Sequence, residues 1–171
     1  LPRATLDVES AMSAIAPILH RVKTGNESDL IALAQEFDGV TPASIRVPQS
    51  ALERALADLD PAIRSALEES ASRIRKVHYD QVRSESRTSV VDGGTVTEKW
   101  IPVDRVGLYV PGGRAVYPSS VMMNVIPAQI AKVESIAVAS PPQKEFDGLP
   151  HPTILATCEL LGVSEVYAVG G

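Results

Sequence analysis

The first half of the chain carries apolar residues at helical spacing. They recur three and four positions apart in two stretches: Met12, Ile15, Leu19 and Val22, then Leu30, Leu33, Ala34 and Phe37. Gly25 and Asn26 separate these stretches, which predicts one helix ending in a left-handed glycine at Gly25 and a second helix capped by Asn26. Two further helices are predicted to begin near Pro48 and at Asp60-Pro61. We therefore expect a helical amino-terminal region over residues 1–84.

The pattern changes from helical to β within residues 85–105. Residues 88–103 are rich in Val, Thr, Trp and Ile, and Asp92-Gly93-Gly94 interrupts them with residues that tolerate positive φ. The second arm, residues 95–101, alternates with a period near two and is followed by Pro102, which cannot donate to a ladder. We therefore predict a β-hairpin that links the helical region to the rest of the chain.

From Val106 onward, short apolar strands alternate with helical stretches. The strands are predicted at residues 106–110, 135–139 and 165–169, and the helices at about 119–133 and 152–161. Nearly continuous apolar strands joined by helices are typical of a parallel sheet buried on both faces. The predicted fold class is therefore α/β, with residues 106–171 forming a βαβαβ half of an incomplete Rossmann-like parallel sheet.

Candidate ligand-binding loops follow the three strands, because such sheets bind ligands at the carboxyl ends of their strands. The loops are Pro111-Gly112-Gly113, Ser140-Pro141-Pro142 and Gly170-Gly171. The amides of the first loop can approach a phosphate, and Tyr109 can pack against an adenine or a ribose. Two glycines are not a G-x-G-x-x-G motif, and a tight turn explains the pair equally well. Since the third strand should lead into another helix, we expect the chain to be part of a longer protein.

Composition excludes several classes of partner. Net charge is −5, and the 16 basic and 21 acidic residues are interspersed, so no basic stripe for nucleic acid is present. No apolar run approaches the roughly 20 residues that cross a bilayer, and the opening residues lack a signal-peptide pattern. The single cysteine excludes an internal disulfide framework. We expect a cytoplasmic protein without nucleic-acid or membrane partners.

The histidines and the cysteine do not predict a reactive centre within the chain. His20, His78 and His151 lie far apart and lack a second ligand nearby in sequence, so a metal site built from them is not expected. His20 and His78 fit a helix surface or a packing role, whereas His151, beside Pro152 at the ligand edge, is the better functional candidate. Cys158 lies in the second predicted crossover helix and fits a small buried hydrophobe.

The residues of the second half resemble one known family. The resemblance lies in residues 106–113 (VGLYVPGG), 115–128 (AVYPSSVMMNVIPA), 139–142 (ASPP), 151–156 (HPTILA) and 166–171 (VYAVGG). In this order and spacing they resemble histidinol dehydrogenases around their nucleotide-binding loop. The helical half resembles the same family through Phe37-Asp38 and Ile45-Arg-Val-Pro48. Lys132 stands where the family usually has glycine, which leaves open how the preceding helix ends.

The resemblance implies an NAD-linked, zinc-dependent enzyme that oxidises L-histidinol to L-histidine through the aldehyde histidinal, the last step of histidine biosynthesis. It also implies a homodimer. Of the family's nucleotide contacts, only the tyrosine falls within this chain, at Tyr109, and we expect Pro111, Gly112 and Gly113 beside it to bind the cofactor. The zinc ligands and the catalytic residues are expected outside this chain, so the chain alone is expected to be inactive.

Two alternatives remain open at the level of sequence. The protein can be an NAD-dependent dehydrogenase of the same family that acts on another small alcohol, because substrate-selecting residues are not expected in this part. The chain can also be a non-catalytic piece that retains nucleotide affinity or has none. A doubly wound sheet alone does not decide between these, since the fold hosts many chemistries.

Overall fold

The structure is a computed structural model that describes residues 8–112 and 115–170. Four helices come first: α1 (Val8–Thr24), α2 (Glu27–Asp38), α3 (Gln49–Ala57) and α4 (Pro61–Asp80). A hairpin follows, made of β1 (Ser86–Val91) and β2 (Gly94–Glu98). The remaining elements are β3 (Arg105–Tyr109), α5 (Pro118–Ile130), β4 (Ser135–Ser140), a 3-10 turn (Lys144–Phe146), α6 (Pro152–Leu160) and β5 (Glu165–Ala168). The predicted α/β class is confirmed.

The junction between α1 and α2 differs from its prediction at one residue. Asn26 caps α2 as expected, accepting from the Ser28 amide at 2.9 Å, while its own amide donates to the Asp29 carboxylate at 3.1 Å. The left-handed conformation predicted for Gly25 is wrong, because Gly25 does not have positive φ. A Cβ at Gly25 would lie 2.5 Å from both the Arg21 carbonyl oxygen and Asp29 Oδ2. Glycine is therefore required there by close packing of the two helix ends.

Helices α3 and α4 share a core with the sheet. Pro61 opens α4 after Asp60, whose carboxylate accepts from the Ala62 amide at 2.7 Å, as the sequence predicted. Helix α3 packs against α6, and α4 packs against α5. One continuous cluster of buried side chains results; it includes Val47, Leu52, Leu67, Val121, Val125, Ile126, Val138, Ile154, Leu155 and Val166. Helices α3 and α4 thus pack on α5 and α6, which cover one face of the sheet.

The hairpin forms as predicted, but its second strand is shorter. Strands β1 and β2 are antiparallel, and the turn between them contains Gly93 at φ 74°. Strand β2 ends at Glu98 because its partner Ser86 is the first residue of β1, so nothing remains for residues 99–101 to pair with. Trp100 instead lies beneath the Arg83 guanidinium, whose carbon is 4.8 Å from the ring centroid.

The last three strands form a parallel sheet in the order β3-β4-β5. Leu108, Val138 and Val166 are in register on the face that the helices cover. On the other face, β3 exposes Gly107 and Tyr109, so the expected burial of both faces does not hold for this strand within the described residues. No described helix is long and apolar enough to cross a membrane.

A short segment before α3 extends the sheet beyond β5. The Val47 amide donates to the Val166 carbonyl at 2.9 Å, and the Ala168 amide donates to the Ile45 carbonyl at 2.8 Å. Arg46 and Tyr167 form the antiparallel bridge between these two bonds. The outer edge of β5 is therefore occupied by a segment that lies more than a hundred residues earlier in the chain.

Lys132 follows the end of the crossover helix α5. The helix stops at Ile130, Ala131 is its C-cap, and Lys132 has φ 63° in the left-handed region. A side chain in that conformation is strained, whereas glycine is not. The helix end needs left-handed backbone at position 132. Glycine, which the family resemblance led us to expect there, would supply that conformation without strain.

We predict that Lys132→Gly raises the free energy of unfolding by about 0.5–1 kcal/mol, since removal of Cβ relieves the left-handed strain and outweighs the added freedom of the unfolded chain. Urea unfolding followed by circular dichroism measures the change. The control is Lys76→Gly, in the interior of α4, which should lower the same quantity by about 1 kcal/mol. Destabilisation by both substitutions would contradict the prediction.

Candidate functional site

The loop after β3 lies against the loop after β4. The Val110 amide donates to the Ala139 carbonyl at 2.8 Å, which carries the ladder to the end of the strand. Gly112 is buried two residues later, and a Cβ there would lie 2.8 Å from Ser140 Oγ and 3.3 Å from Pro141 Cδ. Gly112 does not have positive φ. Close approach, and not a turn that needs positive φ, is therefore what requires glycine at this position.

Two polar side-chain atoms beside Gly112 lack hydrogen-bond partners. They are Ser140 Oγ and Gln143 Nε2, both buried, and no partner for either is found in the part of the chain that the structure describes. Gln143 Nε2 lies 3.5 Å from the position that a Cβ of Gly112 would take. A buried donor without an acceptor costs about 1–3 kcal/mol, so two of them at one place need an explanation.

Tyr109 lies at the same end of the sheet but on the opposite face. It pairs with Ala139, which in turn pairs with Tyr167. The Tyr109 side chain is 46% exposed, so its ring is accessible to a ligand. The Tyr167 hydroxyl donates to Glu165 at 2.5 Å, and Arg105 forms an ion pair with the same carboxylate. One exposed and one anchored tyrosine therefore flank a small residue at this edge.

The four predicted cofactor-binding residues thus take different places. Tyr109 is exposed on the uncovered face of the sheet, Pro111 is exposed at the edge, and Gly112 is buried against the β4 loop. Gly113 lies outside the described residues. Their roles in binding stay predictions. The geometry places Ser140, from the second predicted loop, beside Gly112 and adds Gln143 to the candidate site.

His151 has a structural role at the start of α6. Its Nδ1 accepts from the Thr153 amide at 3.1 Å, and its ring packs edge-on against Phe146 with centroids 4.9 Å apart. Burial lowers the pKa of His151, against the opposing effect of the nearby Glu145 carboxylate. The neutral ring is the form that accepts the amide, because a protonated Nδ1 has no lone pair to offer.

The remaining titratable candidates do not converge. Cys158 is fully buried in α6, and burial raises the pKa of its thiol to about 12, which disfavours the nucleophilic thiolate. His20 is exposed on α1, and His78 on α4 contacts Gln81 Oε1 at 2.7 Å. Within residues 8–112 and 115–170, no group of three or more histidine, cysteine or acidic side chains could hold a metal ion.

The residues at this edge could hold part of a dinucleotide, whereas the described residues do not offer a zinc site. A buried glycine that admits no Cβ and two unpartnered donors beside it could contact a phosphate, and an exposed aromatic ring could contact a base or a ribose. Zinc needs three or four converging nitrogen, sulfur or oxygen ligands, which the described residues do not bring together.

The fold and this edge define a Rossmann-like α/β protein with a helical arm, and sequence comparison gives its family. The histidinol dehydrogenase family model matches residues 1–171. Histidinol dehydrogenase of Thermobifida fusca is 66% identical over 171 residues, which are all of this chain and 39% of that protein. The corresponding protein of Streptomyces avermitilis is 63% identical over the same share of each. The chain belongs to the histidinol dehydrogenase family.

A solved structure agrees with the family assignment. The crystal structure of histidinol dehydrogenase from Elizabethkingia anophelis superposes with a TM-score of 0.90 at 27% sequence identity. The match covers 100% of this chain and 38% of that one. This chain thus spans about two fifths of the length of the relatives it matches, as the 39% share of the Thermobifida fusca protein also indicates.

Ser140 was predicted only as part of the second loop, although the sequence also carries a signal for its side chain. Ser140 follows Ile136 and Val138 at alternating positions, so it extends an apolar row with a hydroxyl. A polar group in a buried register is informative because its burial is costly unless something satisfies it. Gln143 carried no comparable signal, since its approach to Gly112 depends on how two distant loops fold together.

We predict that Gly112→Ala lowers the free energy of unfolding by about 1 kcal/mol or more, because the new methyl group overpacks a buried contact with Ser140 and Pro141. Chemical denaturation provides the measurement. Gly107→Ala on β3 is the matched control, since a Cβ there meets nothing within 4 Å. An equal effect of the two substitutions would show that close approach at Gly112 is unimportant.

We predict that stability falls with acid through His151. Because the folded-state pKa of His151 is lowered from 6.5, the unfolded chain binds the proton more readily. The stabilisation is therefore fully present above pH 6.5 and is lost as the pH falls through the folded-state pKa. His151→Asn keeps a capping side chain that does not titrate. Thermal unfolding at about pH 8 and about pH 5 should show a smaller acid loss in this variant than in the wild type. His20→Asn, on the exposed face of α1, is the control, and equal losses in wild type and His151→Asn would refute the assignment.

Proposed function

We propose that the protein containing this chain oxidises L-histidinol to L-histidine through histidinal with NAD, the last step of histidine biosynthesis, and that this chain supplies part of the nucleotide site. The observation that carries the proposal is the family match over all 171 residues. Identities of 66% and 63% to proteins named histidinol dehydrogenase support it. The carboxyl edge of the sheet supports the nucleotide part, because ligands of such sheets bind there.

Within this proposal the chain's own residues bind and orient the cofactor. NAD supplies the hydride acceptor when it is bound. The exposed ring of Tyr109 packs against the adenine or a ribose, and the backbone at Pro111 and Gly112 allows the phosphates to approach the sheet edge. Orientation matters for the rate, because holding the reacting atoms in line removes much of the entropic cost of bringing them together.

The acid-base residues and the zinc ligands belong, in this proposal, to parts of the protein other than this chain. The separation of His20, His78 and His151 and the inert surroundings of Cys158 support that division. We further propose a zinc-dependent homodimer in the cytoplasm, on the family resemblance. The 171 residues alone then bind substrate poorly and have no turnover, since acid-base residues and a metal site supply most of the catalytic power.

The activity is tested with the whole protein, NAD, zinc and histidinol by following NADH and histidine together. We expect two NADH for each histidine, because the alcohol is oxidised through the aldehyde to the acid. Turnover of another small alcohol but not of histidinol would move the protein to the alternative substrate. Absence of NADH formation with every alcohol would leave only a non-catalytic role. The 171-residue chain is the matched sample, and NADH formation by it would refute the assignment of the catalytic groups to other parts.

We predict that Tyr109→Ala weakens NAD binding about 10-fold, since stacking of a base on an aromatic ring contributes about 1–3 kcal/mol. The measurement is isothermal titration calorimetry of the whole protein. Tyr79→Ala is the control, because Tyr79 is 65% exposed on α4, away from the strand ends. Equal NAD affinity in wild type and Tyr109→Ala would remove Tyr109 from the site.

A further inference from the structure

Ser140 Oγ and Gln143 Nε2, two buried side-chain atoms beside Gly112, lack hydrogen-bond partners among the described residues. We propose that the Ser140 hydroxyl and the Gln143 side-chain amide bind a phosphate of the dinucleotide, in a subsite at the carboxyl end of β4 that opens when the Gly112 backbone shifts outward. This inference rests on the proposed NAD-dependent function. It assigns a binding role to two residues of the second loop, beyond the tyrosine and the glycines of the first.

Leaving these two buried atoms unpaired costs free energy. Ser140 is fully buried and its Oγ lacks a partner among the described residues, as does Gln143 Nε2. A protein of this size satisfies nearly all its buried polar groups, and the exceptions mark strain, an internal water or a ligand site. Here two exceptions lie beside one glycine at the edge where such sheets bind ligands.

The pair is held in place by the fold. The Ser140 carbonyl accepts from the Val169 amide at 3.0 Å, which fixes the last rung of the sheet. The Gln143 amide donates to the Leu149 carbonyl, and its carbonyl accepts from Gly148, both at 3.0 Å. With both backbones fixed, little entropy is lost when the side chains bind a ligand. A preorganised pair of this kind is what a binding subsite requires.

The chemistry of the pair selects an acceptor. The Gln143 amide nitrogen can only donate, and the Ser140 hydroxyl is free to donate because its proton rotates. Two neutral donors beside a backbone without Cβ favour an oxygen-rich group such as a phosphate, which accepts several hydrogen bonds at once. A ribose hydroxyl is the competing partner, since it also accepts. Ligands that differ in phosphate, such as ADP and adenosine, distinguish the two.

Gly112 controls access to the pair. A Cβ on Gly112 would lie 2.8 Å from Ser140 Oγ and 3.5 Å from Gln143 Nε2, so the missing Cβ is what allows the loop backbone to lie so close to Ser140. In the proposal the Gly112 backbone moves outward to admit the phosphate and then lies beside it. Binding gives both donors an acceptor, so the penalty of the unpaired state is relieved at the same time.

An internal water is the competing explanation, and it predicts opposite signs. A water bridging Ser140 and Gln143 would make both side chains part of a satisfied network, so their removal would destabilise the free protein and leave nucleotide affinity unchanged. In the proposed subsite the free protein loses only unsatisfied groups. Removal then leaves stability unchanged or raises it, while affinity falls.

The test uses the whole protein and the variants Ser140→Ala and Gln143→Met, the second of which keeps the shape of the side chain. Titration with NAD, ADP and adenosine is combined with the melting temperature in the absence of ligand. We expect each variant to bind NAD and ADP about 10- to 100-fold more weakly, as the loss of one hydrogen bond to a charged group implies. Adenosine affinity should not change, and the melting temperature of the free protein should not fall.

Two controls remove polar groups that are already satisfied. Thr157 Oγ1 donates to the Thr153 carbonyl at 2.7 Å, and Gln129 Nε2 donates to the Leu161 carbonyl at 2.6 Å. Thr157→Val and Gln129→Met should therefore lower the melting temperature and leave NAD affinity unchanged. This pattern is the reverse of the one expected for Ser140 and Gln143.

Each contrary result refutes a defined statement. Wild-type protein that does not bind NAD refutes the proposed function, and the subsite with it. Wild-type protein that binds NAD while both variants bind it equally well refutes the subsite alone. A lower melting temperature with unchanged affinity assigns the pair to an internal water. An equal loss of adenosine affinity assigns it to a ribose and refutes the phosphate.

Discussion

Water has to be kept from one apolar face of the parallel sheet, and the order of layers in the described chain follows from that requirement. Burying apolar area stabilises a fold by roughly 25 cal/mol per Å². Helices α5 and α6 cover the row of Leu108, Val138 and Val166, but both helices are apolar on more than one side. Helices α3 and α4 pack on them in turn, which is why Leu52 and Leu67 are buried far from the strands in sequence.

The sequence predicted elements correctly where a local signal and the tertiary packing agree. Asp60 before Pro61 and Asn26 before α2 cap their helices in the folded chain as they would in isolation. Predictions failed where the deciding contact is distant in sequence or belongs to a partner strand. Gly25 is needed because another helix end approaches it, and β2 stops early because β1 has no residue left to pair. Neither cause can be read from residue type or period.

The candidate site, too, could be predicted from the sequence only in part. Its place at the carboxyl ends of the strands follows from the alternation of strands and helices, and Gly112 could be identified from its position after β3. The reason for that glycine could not, because it depends on Ser140 and Pro141 from the next loop. Ser140 was predicted within the second loop, and its hydroxyl interrupts an apolar register, so the burial of its side chain was detectable in principle. Gln143 becomes relevant only once the backbone bonds to Leu149 and Gly148 bring its loop against the sheet edge.

Pairing of residues 45–47 with β5 has a consequence for how the sheet can grow. An edge whose amides and carbonyls are already used cannot template another strand, so this segment protects that side from extension and from aggregation. Among the three strands of the parallel sheet, only β3 keeps an unpaired side. A strand contributed by another part of the whole protein would therefore be added next to β3. The strand order would then reverse, because the strands up to β5 are added on one side of β3 and this strand on the other. The crevice at that reversal would open beside Tyr109 and Pro111.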